Sequence, residues 1–524
     1  VFIFAQLNPW LWATKAGGMG GDLCQGIAVD ASGNSYVTGG FEGTAIFGST
    51  TLESGGSQDI FVAKLDNRGN WLWAKKAGGT DSDYGYGIAV DASGNSYVTG
   101  YFYSATATFG STTLTNNGFA NIFIAKLDSS GNWLWAKNAG YSGCGTSGNG
   151  IAVDASGNIY VTGDFSGSAT FGSITLTSNG DSDIFIAKLD SSGNWLWAKN
   201  AGGTDYDYGQ GIAVDASGNS YVTGYFESTT ATFGSTTLTS SGFSDIFVAK
   251  LDSSGNWLWA KNAGGTDYYE GCGIAVDTSG NSYVIGWFEG SATFGSATLT
   301  SNGDDDIFVT KLDSSGNWLW AKKAGGTDYY EGCGIAVDAS GNSYITGFFS
   351  DSATFGSTTL TSNGYCDIFI AKLDSSGNWL WAKNAGGTGS DWGHGIAVDA
   401  IGNSYVTGYF FSTAATFGNI TIYGSGTVYN TDIFVVKVHI PYYPAGVSIV
   451  EETYGIPVTV FGGDADRGTL DNFPSVPDQN TTYKKFNFIL DNSIPDWTIT
   501  MQTSDTYGAY YQNNRWNVVN GNGT

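Results

Sequence analysis

Acidic and aromatic residues concentrate in a short glycine-rich segment that recurs along the chain. It reads G-G-T-D-S-D-Y-G-Y before Gly87, G-G-T-D-Y-D-Y-G-Q before Gly211 and G-G-T-G-S-D-W-G-H before Gly395. Tyr and Trp rings can stack on sugars or pack against side chains, and Asp and Glu can accept hydrogen bonds or attract cations. The structural alternative is that Asp caps the turn and Tyr fills the space between repeats. We predict a ligand-binding face formed by Tyr84, Tyr86, Asp205, Asp207, Tyr208, Tyr269, Glu270, Tyr330, Glu331, Asp391, Trp392 and His394.

Metal binding is a weaker hypothesis for the same segments. Asp205 and Asp207 supply two carboxylates, whereas a calcium ion takes about six to eight oxygen ligands. Cys272, Cys333 and His394 occupy equivalent positions in consecutive repeats, and Cys with His is a donor set typical of zinc. Cys272 and Cys333 could instead form a disulfide, or be small residues tucked beside a glycine. We expect no metal and no other cofactor, with calcium as the remaining candidate.

The sequence lacks the common catalytic motifs. The chain has two histidines, His394 and His439, and contains no G-x-S-x-G, H-E-x-x-H or P-loop sequence. We therefore predict a non-enzymatic protein that recognises a protein or glycan ligand. Two alternatives remain open: a purely structural component of a cell surface or matrix, and a glycan-acting enzyme that uses two carboxylates of the same face.

The glycine-rich segments precede a longer repeat, G-I-A-V-D-A-S-G-N-S-Y-V-T-G, which must position them. Its G-I-A-V-D copies lie 61 to 63 residues apart and begin at Gly26, Gly87, Gly150, Gly211, Gly273, Gly334 and Gly395. One unit contains four strand patterns, at residues 87–90, 96–102, 122–127 and 133–137. Turns of the type Asp-x-Ser-Gly-Asn join them, because Asp can accept backbone N–H bonds and Gly can adopt the left-handed conformation. Each unit is predicted to be a four-stranded antiparallel sheet.

The apolar pattern indicates how the seven sheets are arranged. I-F-I-A-K-L and W-L-W-A are nearly continuous apolar runs, so both faces of each sheet must be covered. Four-stranded sheets stacked face to face around an axis meet this requirement and leave only short protected edges. The last unit lacks its fourth strand, whereas an additional W-L-W-A-T-K lies at residues 10–15. We predict an all-β protein with a seven-bladed β-propeller of four-stranded antiparallel blades, closed by an N-terminal strand.

Three motifs support a family resemblance. G-I-A-V-D-A-S-G-N-S-Y-V-T-G, D-I-F-V-A-K-L-D and N-W-L-W-A-K resemble the SBBP repeat, a seven-bladed β-propeller repeat of bacterial secreted and surface proteins. The resemblance covers about residues 10–440. It implies a propeller fold and an extracellular or cell-surface setting, but it brings no uniform catalytic motif that could be transferred to this chain.

Charge and hydropathy narrow the classes of partner. A formal net charge of −26 argues against nucleic acid, because phosphate binding needs clustered Lys and Arg. The chain has no stretch of about 18 apolar residues, so we expect no membrane-spanning helix. Lysines on the third and fourth strands, such as Lys126 and Lys137, are expected to discourage edge-to-edge association, which fits a monomeric propeller.

The two ends of the chain differ from the repeats. Residues 1–9 have the pattern of the end of a signal peptide, apolar and then Ala, which favours export. The alternative is that they are an N-terminal extension that forms a β-strand. Residues 10–440 are assigned to the propeller, 441–445 to a Pro-containing linker, and 446–524 to a small β-sandwich-like domain. Strand patterns in this domain occur at residues 458–461, 486–490, 497–501 and 516–519. We expect this domain to be truncated, because the strand patterns continue to residue 519 without an obvious end of the domain.

Overall fold

The computed structural model describes residues 9–116, 118–140, 145–425 and 430–439, together with the backbone of residues 448–453 and 484–489. Contacts divide the chain into two compact units, one of residues 8–440 and one of residues 1–7 and 441–524. The described residues form strands and turns without a helix, so the all-β prediction is confirmed. Within these ranges no helix is available that is long and apolar enough to cross a membrane.

Four kinds of strand alternate along residues 8–440, and a set of four is called a blade. Strand a occurs in blades 1 to 7 at Leu23–Val29, Asp83–Val90, Thr146–Val153, Asp207–Val214, Tyr269–Val276, Tyr330–Val337 and Asp391–Val398. Strand b occurs at Ser35–Phe47, Ser96–Phe102, Ile159–Phe165, Ser220–Phe226, Ser282–Phe294, Ser343–Phe349 and Ser404–Phe410. Strand c occurs at Thr50–Leu65, Asn121–Leu127, Asp183–Leu189, Asp245–Leu251, Ala297–Leu312, Asp367–Leu373 and Asp432–Val438. Strand d occurs at Trp71–Ala77, Trp133–Ala139, Trp195–Ala201, Trp257–Ala263, Trp318–Ala324, Trp379–Ala385 and, for blade 7, Trp10–Gly18.

A small hairpin lies between strands b and c. In blades 1 and 5 it continues these two strands, which are therefore longer. In the other blades it is a separate two-stranded sheet, formed by Thr106–Phe109 with Thr112–Thr115, Ser168–Phe171 with Ile174–Thr177, Thr230–Phe233 with Thr236–Thr239, Ser352–Phe355 with Thr358–Thr361, and Ala414–Phe417 with Ile420–Tyr423. The recurring Thr/Ser/Gly segment is thus an ordered part of each blade.

Strands pair in the order a-b-c-d in each described blade, and all pairs are antiparallel. Trp10–Gly18 pairs with strand c of blade 7, with Ala16 opposite Ile433. Its end also pairs with strand b of blade 1, since Gly18 lies opposite Ala45. The first strand of the chain therefore joins blades 7 and 1 in one eight-stranded sheet.

The inner strands a contact one another in a cycle around the axis. A Cβ atom built on Gly26 would lie 2.6 Å from the carbonyl oxygen of Tyr86 in blade 2. A Cβ atom built on Gly395 of blade 7 would lie 3.1 Å from the carbonyl oxygen of Gln25 in blade 1. The first glycine of G-I-A-V-D is required because the backbones of neighbouring blades approach closely there.

The core lies between neighbouring blades. Between blades 1 and 2, Ile60 and Val62 of strand c pack with Val98, Phe102 and Phe123 of the next blade. Every residue of strand c in blade 2 is buried. This burial on both faces is what the continuous apolar runs predicted.

The turn between strands a and b has the predicted chemistry. The Asp91 carboxylate accepts N–H bonds from Ser93 and Asn95, each 2.9 Å long, and Gly94 has φ of 77°. The Tyr97 hydroxyl donates to Asp91 at 3.0 Å, and the Lys126 ammonium lies 4.8 Å from the centroid of the Tyr97 ring. These contacts fix the turn to the strand that follows it.

Edge protection is the wrong interpretation for the lysines of strand c. Lys126 lies on a strand that is paired on both sides, so it is not at a sheet edge. Its ammonium instead lies over the Tyr97 ring. Lys137 lies on strand d, which is the outer strand of the blade.

The second unit contains one described pair of strands. Ser448–Thr453 and Lys484–Ile489 are antiparallel, with Ser448 opposite Ile489. The predicted strand at residues 486–490 overlaps the second of these, while the first was not predicted. The other three predicted strands of this region, and the predicted signal-peptide residues 1–8, lie outside the described residues.

Candidate functional site

A β-bulge occurs at the same place in strand a of all seven described blades. In blade 2, Gly85 and Gly87 lie opposite the consecutive residues Gly100 and Thr99, so Tyr86 has no partner in the ladder. A bulge of this kind redirects the side chain of the extra residue. The seven bulge residues are half-buried and form what we call the bulge ring: Gln25, Tyr86, Asn149, Gln210, Cys272, Cys333 and His394.

The bulge ring marks one end of the inner strands, which we call the mouth end. The opposite end, where the Asp-x-Ser-Gly-Asn turns lie, is called the turn end. The residue immediately before each G-I-A-V-D differs among most blades, while the five residues after it are the same. Variation within one chain shows that the scaffold does not dictate the residue type at the bulge.

Strand b supplies a second variable position beside the bulge. The Tyr86 ring stacks on Tyr101 with centroids 5.4 Å apart, and the two hydroxyls lie 3.3 Å apart. His394 stacks in the same way on Tyr409, at 5.1 Å. The sequence interpretation missed this position, although the residue between Gly and Phe of strand b also varies: Gly40, Tyr101, Asp164, Tyr225, Trp287, Phe348 and Tyr409.

Three further predicted aromatic residues belong to the same clusters. Trp392 stacks on Phe348 of the preceding blade, with centroids 5.3 Å apart. Tyr208 packs on Tyr225 at 4.9 Å. Tyr84 packs on Tyr101 at 5.5 Å. Each of the three is half-buried, so its ring contributes to the wall of the mouth end.

Blades 5 and 6 supply the acidic part of the mouth end. Glu270 and Glu331 occupy equivalent positions and are half-buried. Glu331 accepts a hydrogen bond from the Tyr329 hydroxyl at 3.1 Å. Burial, reinforced by the negative charges of Glu331 and Glu227, raises the pKa of Glu270 to about 8. Burial also raises the pKa of Glu331. With a pKa of about 8, the carboxyl group of Glu270 carries a proton at neutral pH.

Two predicted site carboxylates are structural. Asp207 is fully buried and accepts hydrogen bonds from the Gly203 N–H at 2.6 Å and the Ser228 hydroxyl at 2.9 Å. Asp391 is buried in the same way, with the Gly387 N–H at 2.5 Å. For these residues the structure fits the alternative that Asp caps a turn.

Two predicted site tyrosines are likewise buried. Tyr269 donates its hydroxyl to the carbonyl oxygen of Ser291 at 2.8 Å, and Tyr330 donates to that of Ser352 at 2.8 Å. Both side chains have no exposed surface. They fill the space between blades, and their predicted contact with a ligand is not possible in this arrangement.

The candidate metal ligands do not form a cluster. Asp205 is exposed whereas Asp207 is buried among its own donors, so their carboxylates face different surroundings. Burial lowers the pKa of His394 to about 4 and raises the pKa of Cys272 and Cys333, which keeps the imidazole and both thiols neutral. In the described ranges no group of three or more His, Cys, Asp or Glu is arranged to hold a metal ion.

Exposed aromatic residues around the mouth end were not predicted. Phe243 and Tyr268 stack with centroids 4.8 Å apart, although they are 59% and 45% exposed. Tyr206 stacks on Tyr208 and is itself 45% exposed. Tyr206 and Tyr268 lie in the glycine-rich segments that predicted a binding face, directly beside the predicted residues Asp205, Asp207 and Tyr269.

The repeated blades and their cyclic contacts define a β-propeller repeat scaffold. The family model of SBBP, described as a β-propeller repeat, matches residues 72–101, 134–164, 196–225 and 380–409. The chain therefore carries SBBP repeats, which confirms the resemblance seen in its motifs.

Two curated proteins share sequence with this chain. An uncharacterised WD repeat-containing protein of Acanthamoeba polyphaga mimivirus is 25% identical over 508 residues, covering 78% of this chain and 36% of that protein. Regulatory protein FlaEY of Caulobacter vibrioides is 30% identical over 141 residues, covering 26% of this chain and 15% of that protein. The chain thus spans about a third of the length of the first relative and less of the second.

Two solved structures are similar at low identity. A protein of unknown function from Bacteroides caccae is 11% identical with a TM-score of 0.33, covering 62% of this chain and 89% of that chain. An ulvan lyase, a polysaccharide lyase bound to -[GlcA(1-4)Rha3S]-, is 9% identical with a TM-score of 0.41, covering 75% of this chain and 93% of that chain.

Proposed function

We propose that residues 10–440 form a complete seven-bladed β-propeller that acts as a non-enzymatic recognition scaffold for a protein or glycan ligand. The bulge ring is the observation that carries this proposal. The backbone of every described blade presents one residue at the mouth end, and the residue type changes while the scaffold stays the same. Variable side chains on a rigid repeated support have the organisation of a binding surface.

The chemistry of the mouth end narrows the ligand. Tyr86 and Trp392 offer partly exposed ring faces, which stack on sugars or on apolar side chains. Glu270 and Glu331 offer carboxyl groups to hydroxyl or ammonium groups. No ion pair found in the described residues involves either glutamate. A glycan or protein segment with hydroxyl or ammonium groups beside a flat apolar face fits this surface.

A binding screen tests the proposal. The full chain is applied to a glycan array and to immobilised extracellular-matrix proteins, beside a variant that combines Tyr86→Ala with Trp392→Ala. A hit should bind the variant at least about 30-fold more weakly, because loss of one aromatic anchor costs about 2 kcal/mol and the variant removes two. The matched control is Tyr423→Ala, which removes a 68% exposed ring from an outer hairpin. Equal binding by the double variant would place the site elsewhere.

A glycan-acting enzyme is the second candidate, and Glu270 is the observation that favours it. A carboxyl group with a pKa of about 8 next to a second glutamate can donate a proton at neutral pH. The full chain should then release reducing or unsaturated ends from a polysaccharide panel. Glu270→Gln should abolish that release while Glu53→Gln, which changes an exposed carboxyl group on the outer hairpin of blade 1, should not. No product from any polysaccharide supports the recognition function.

We also propose that the protein works outside the cell or on the cell surface. The resemblance to repeats of bacterial secreted and surface proteins supports this setting. A fractionation experiment on the native host, with antibody against the propeller, should recover it outside the cytoplasm. A purely cytoplasmic signal would contradict the proposal.

A further inference from the structure

Two aspartates meet at four of the seven contacts between described blades. In three pairs one aspartate is the first residue of strand c, and in the fourth Asp59 has the equivalent position within Thr50–Leu65. The other aspartate lies at or directly before the start of strand a in the next blade. All eight side chains are buried. The pairs are Asp59 with Asp83, Asp183 with Asp207, Asp367 with Asp391, and Asp432 with Asp22.

The two carboxylates of a pair face the same point of the backbone. A Cβ atom built on Gly202 would lie 2.7 Å from Asp183 Oδ1 and 2.8 Å from Asp207 Oδ2, so both oxygens are on one side of this glycine. Asp183 Oδ1 is buried and has no hydrogen-bond partner. Gly386 stands in the same relation to Asp367 and Asp391, and Asp367 Oδ1 also lacks a partner.

The four pairs differ in the residue of strand d that faces them. Lys76 lies 3.3 Å from Asp59, and Lys15 lies 3.8 Å from Asp432, so two pairs have a positive charge at hand. The equivalent residues at the other two pairs are Asn200, which donates to Asp183 at 3.1 Å, and Asn384, which donates to Asp367 at 3.2 Å. Among the described residues, no lysine or arginine lies within 4.0 Å of these two pairs.

We propose that Asp183 with Asp207, and Asp367 with Asp391, are proton-binding pairs that each hold one shared proton in the folded protein. The proton is shared between Oδ1 of the strand-c aspartate and Oδ2 of its partner. The proton takes the place of the charge that lysine supplies at the other two pairs. It also gives a partner to Oδ1 of the strand-c aspartate, an atom that lacks one in the lysine-containing pairs as well, and it avoids two buried like charges.

Burial raises the pKa of both aspartates in each of the two pairs, as it does in the pairs that contain a lysine. Burial, with a smaller contribution from the charge of Asp183, raises the pKa of Asp207 to about 7. Burial, with a contribution from the charge of Asp391, raises the pKa of Asp367 to about 6. The other groups around the pairs are exposed Asp181 and Asp205, the Cys366 thiol with a pKa raised by burial, and the neutral side chains of Asn179, Asn200, Ser228, Asn363, Asn384 and Ser412.

Proton binding in the folded state alone makes stability depend on pH. Because the folded pKa lies above the unfolded value of about 4, the stabilisation is complete below about pH 4 and is lost as the pH rises to the folded pKa. As the pH rises within this window, loss of the proton from each pair should raise the unfolding equilibrium constant about tenfold per pH unit. Asp207 and Asp391 directly precede Tyr208 and Trp392, so the loss of stability falls on the mouth end.

The test is urea unfolding of the full chain between pH 4.5 and 8, followed by tryptophan fluorescence in buffer with a chelator. Burial also raises the pKa of Asp22 and Asp83, so all variants share a background pH dependence. Asn200→Lys should reduce the pH dependence up to about pH 7, and Asn384→Lys should reduce it up to about pH 6, each by up to tenfold per pH unit. Lys76→Asn should increase it, because a third pair then lacks its cation.

Asn138→Lys is the matched control. Asn138 is the equivalent residue of blade 2, where Asn121 and Thr146 stand in place of the two aspartates, so this lysine should leave the pH dependence unchanged. The proposal is overturned if Asn200→Lys and Asn384→Lys behave like this control. It is also overturned if calcium restores stability lost in chelator at pH 7, since a metal ion and not a proton would then occupy the pairs.

Discussion

The turn end and the mouth end of the inner strands differ in whether their side chains are the same in every described blade. At the turn end, a tyrosine of strand b donates to the turn aspartate in every described blade. A lysine of strand c lies over the same tyrosine ring in each case. At the mouth end, the bulge ring contains five residue types among seven positions.

The difference follows from which part of the chain makes the contacts. At the turn end, side chains such as Asp91 and Tyr97 hold the backbone, so their chemistry must be the same in each blade. At the mouth end, the bulge is made by backbone pairing of Gly85 and Gly87, and the side chain between them is not needed for it. A repeat protein can therefore vary its surface wherever the backbone alone sets the geometry.

A change of pH should give the largest difference in stability between the turn end and the mouth end. Burial raises the pKa of Asp91, but hydrogen bonds from Asn95, Tyr97 and Ser93 outweigh it, so the pKa is lowered. Stability from such turn carboxylates is complete above the unfolded pKa of about 4 and is lost as the pH falls through the lower folded value. Hydrogen exchange should show turn-end amides losing protection in acid, while mouth-end amides lose it towards neutral pH. Loss at one common pH would contradict the comparison.

Removing a core side chain should give the next largest effect. Phe123 is fully buried and packs on Phe109 with centroids 4.9 Å apart. Phe123→Ala should lower the free energy of unfolding by about 3–5 kcal/mol. Leu134→Ala removes a 52% exposed side chain of the neighbouring strand and should cost less than about 0.5 kcal/mol. Urea unfolding measures both, and similar losses would mean that the core does not lie between the blades.

The scaffold was predictable because its signals are local and repeated. Asp91 and Gly94 specify a turn by their own chemistry, and continuous apolar runs require burial on both faces. The site was predictable only in part. Side chains alternate along strand a, and this alternation decides which residue lines the mouth end and which is buried between blades. Asp207 and Tyr269 lie one residue before Tyr208 and Glu270, and this single step buries them between blades. Tyr101 was missed because pairing across the bulge is not visible in a linear sequence.

A substitution at the turn end should have a moderate cost. Gly94→Ala places a side chain at φ of 77° and 3.1 Å from the Tyr36 hydroxyl of the neighbouring blade. The left-handed conformation alone should cost about 1 kcal/mol, and the contact should add to it. Gly43→Ala measures the cost of the left-handed conformation alone, because Gly43 has φ of 68° with nothing within 4 Å of the added carbon. A Gly94→Ala cost no larger than that of Gly43→Ala would show that the blade contact yields without strain.

The smallest effect on stability should come from the bulge ring. Tyr86→Ala removes the stack on Tyr101, which is worth about 0.5–1.5 kcal/mol, and leaves the backbone pairs of Gly85 and Gly87 in place. A double-mutant cycle with Tyr101→Ala measures the stack itself by urea unfolding. A loss as large as that of Phe123→Ala would show that the bulge depends on its side chain. The mouth end would then be as constrained as the turn end, and its variation between blades would need another explanation.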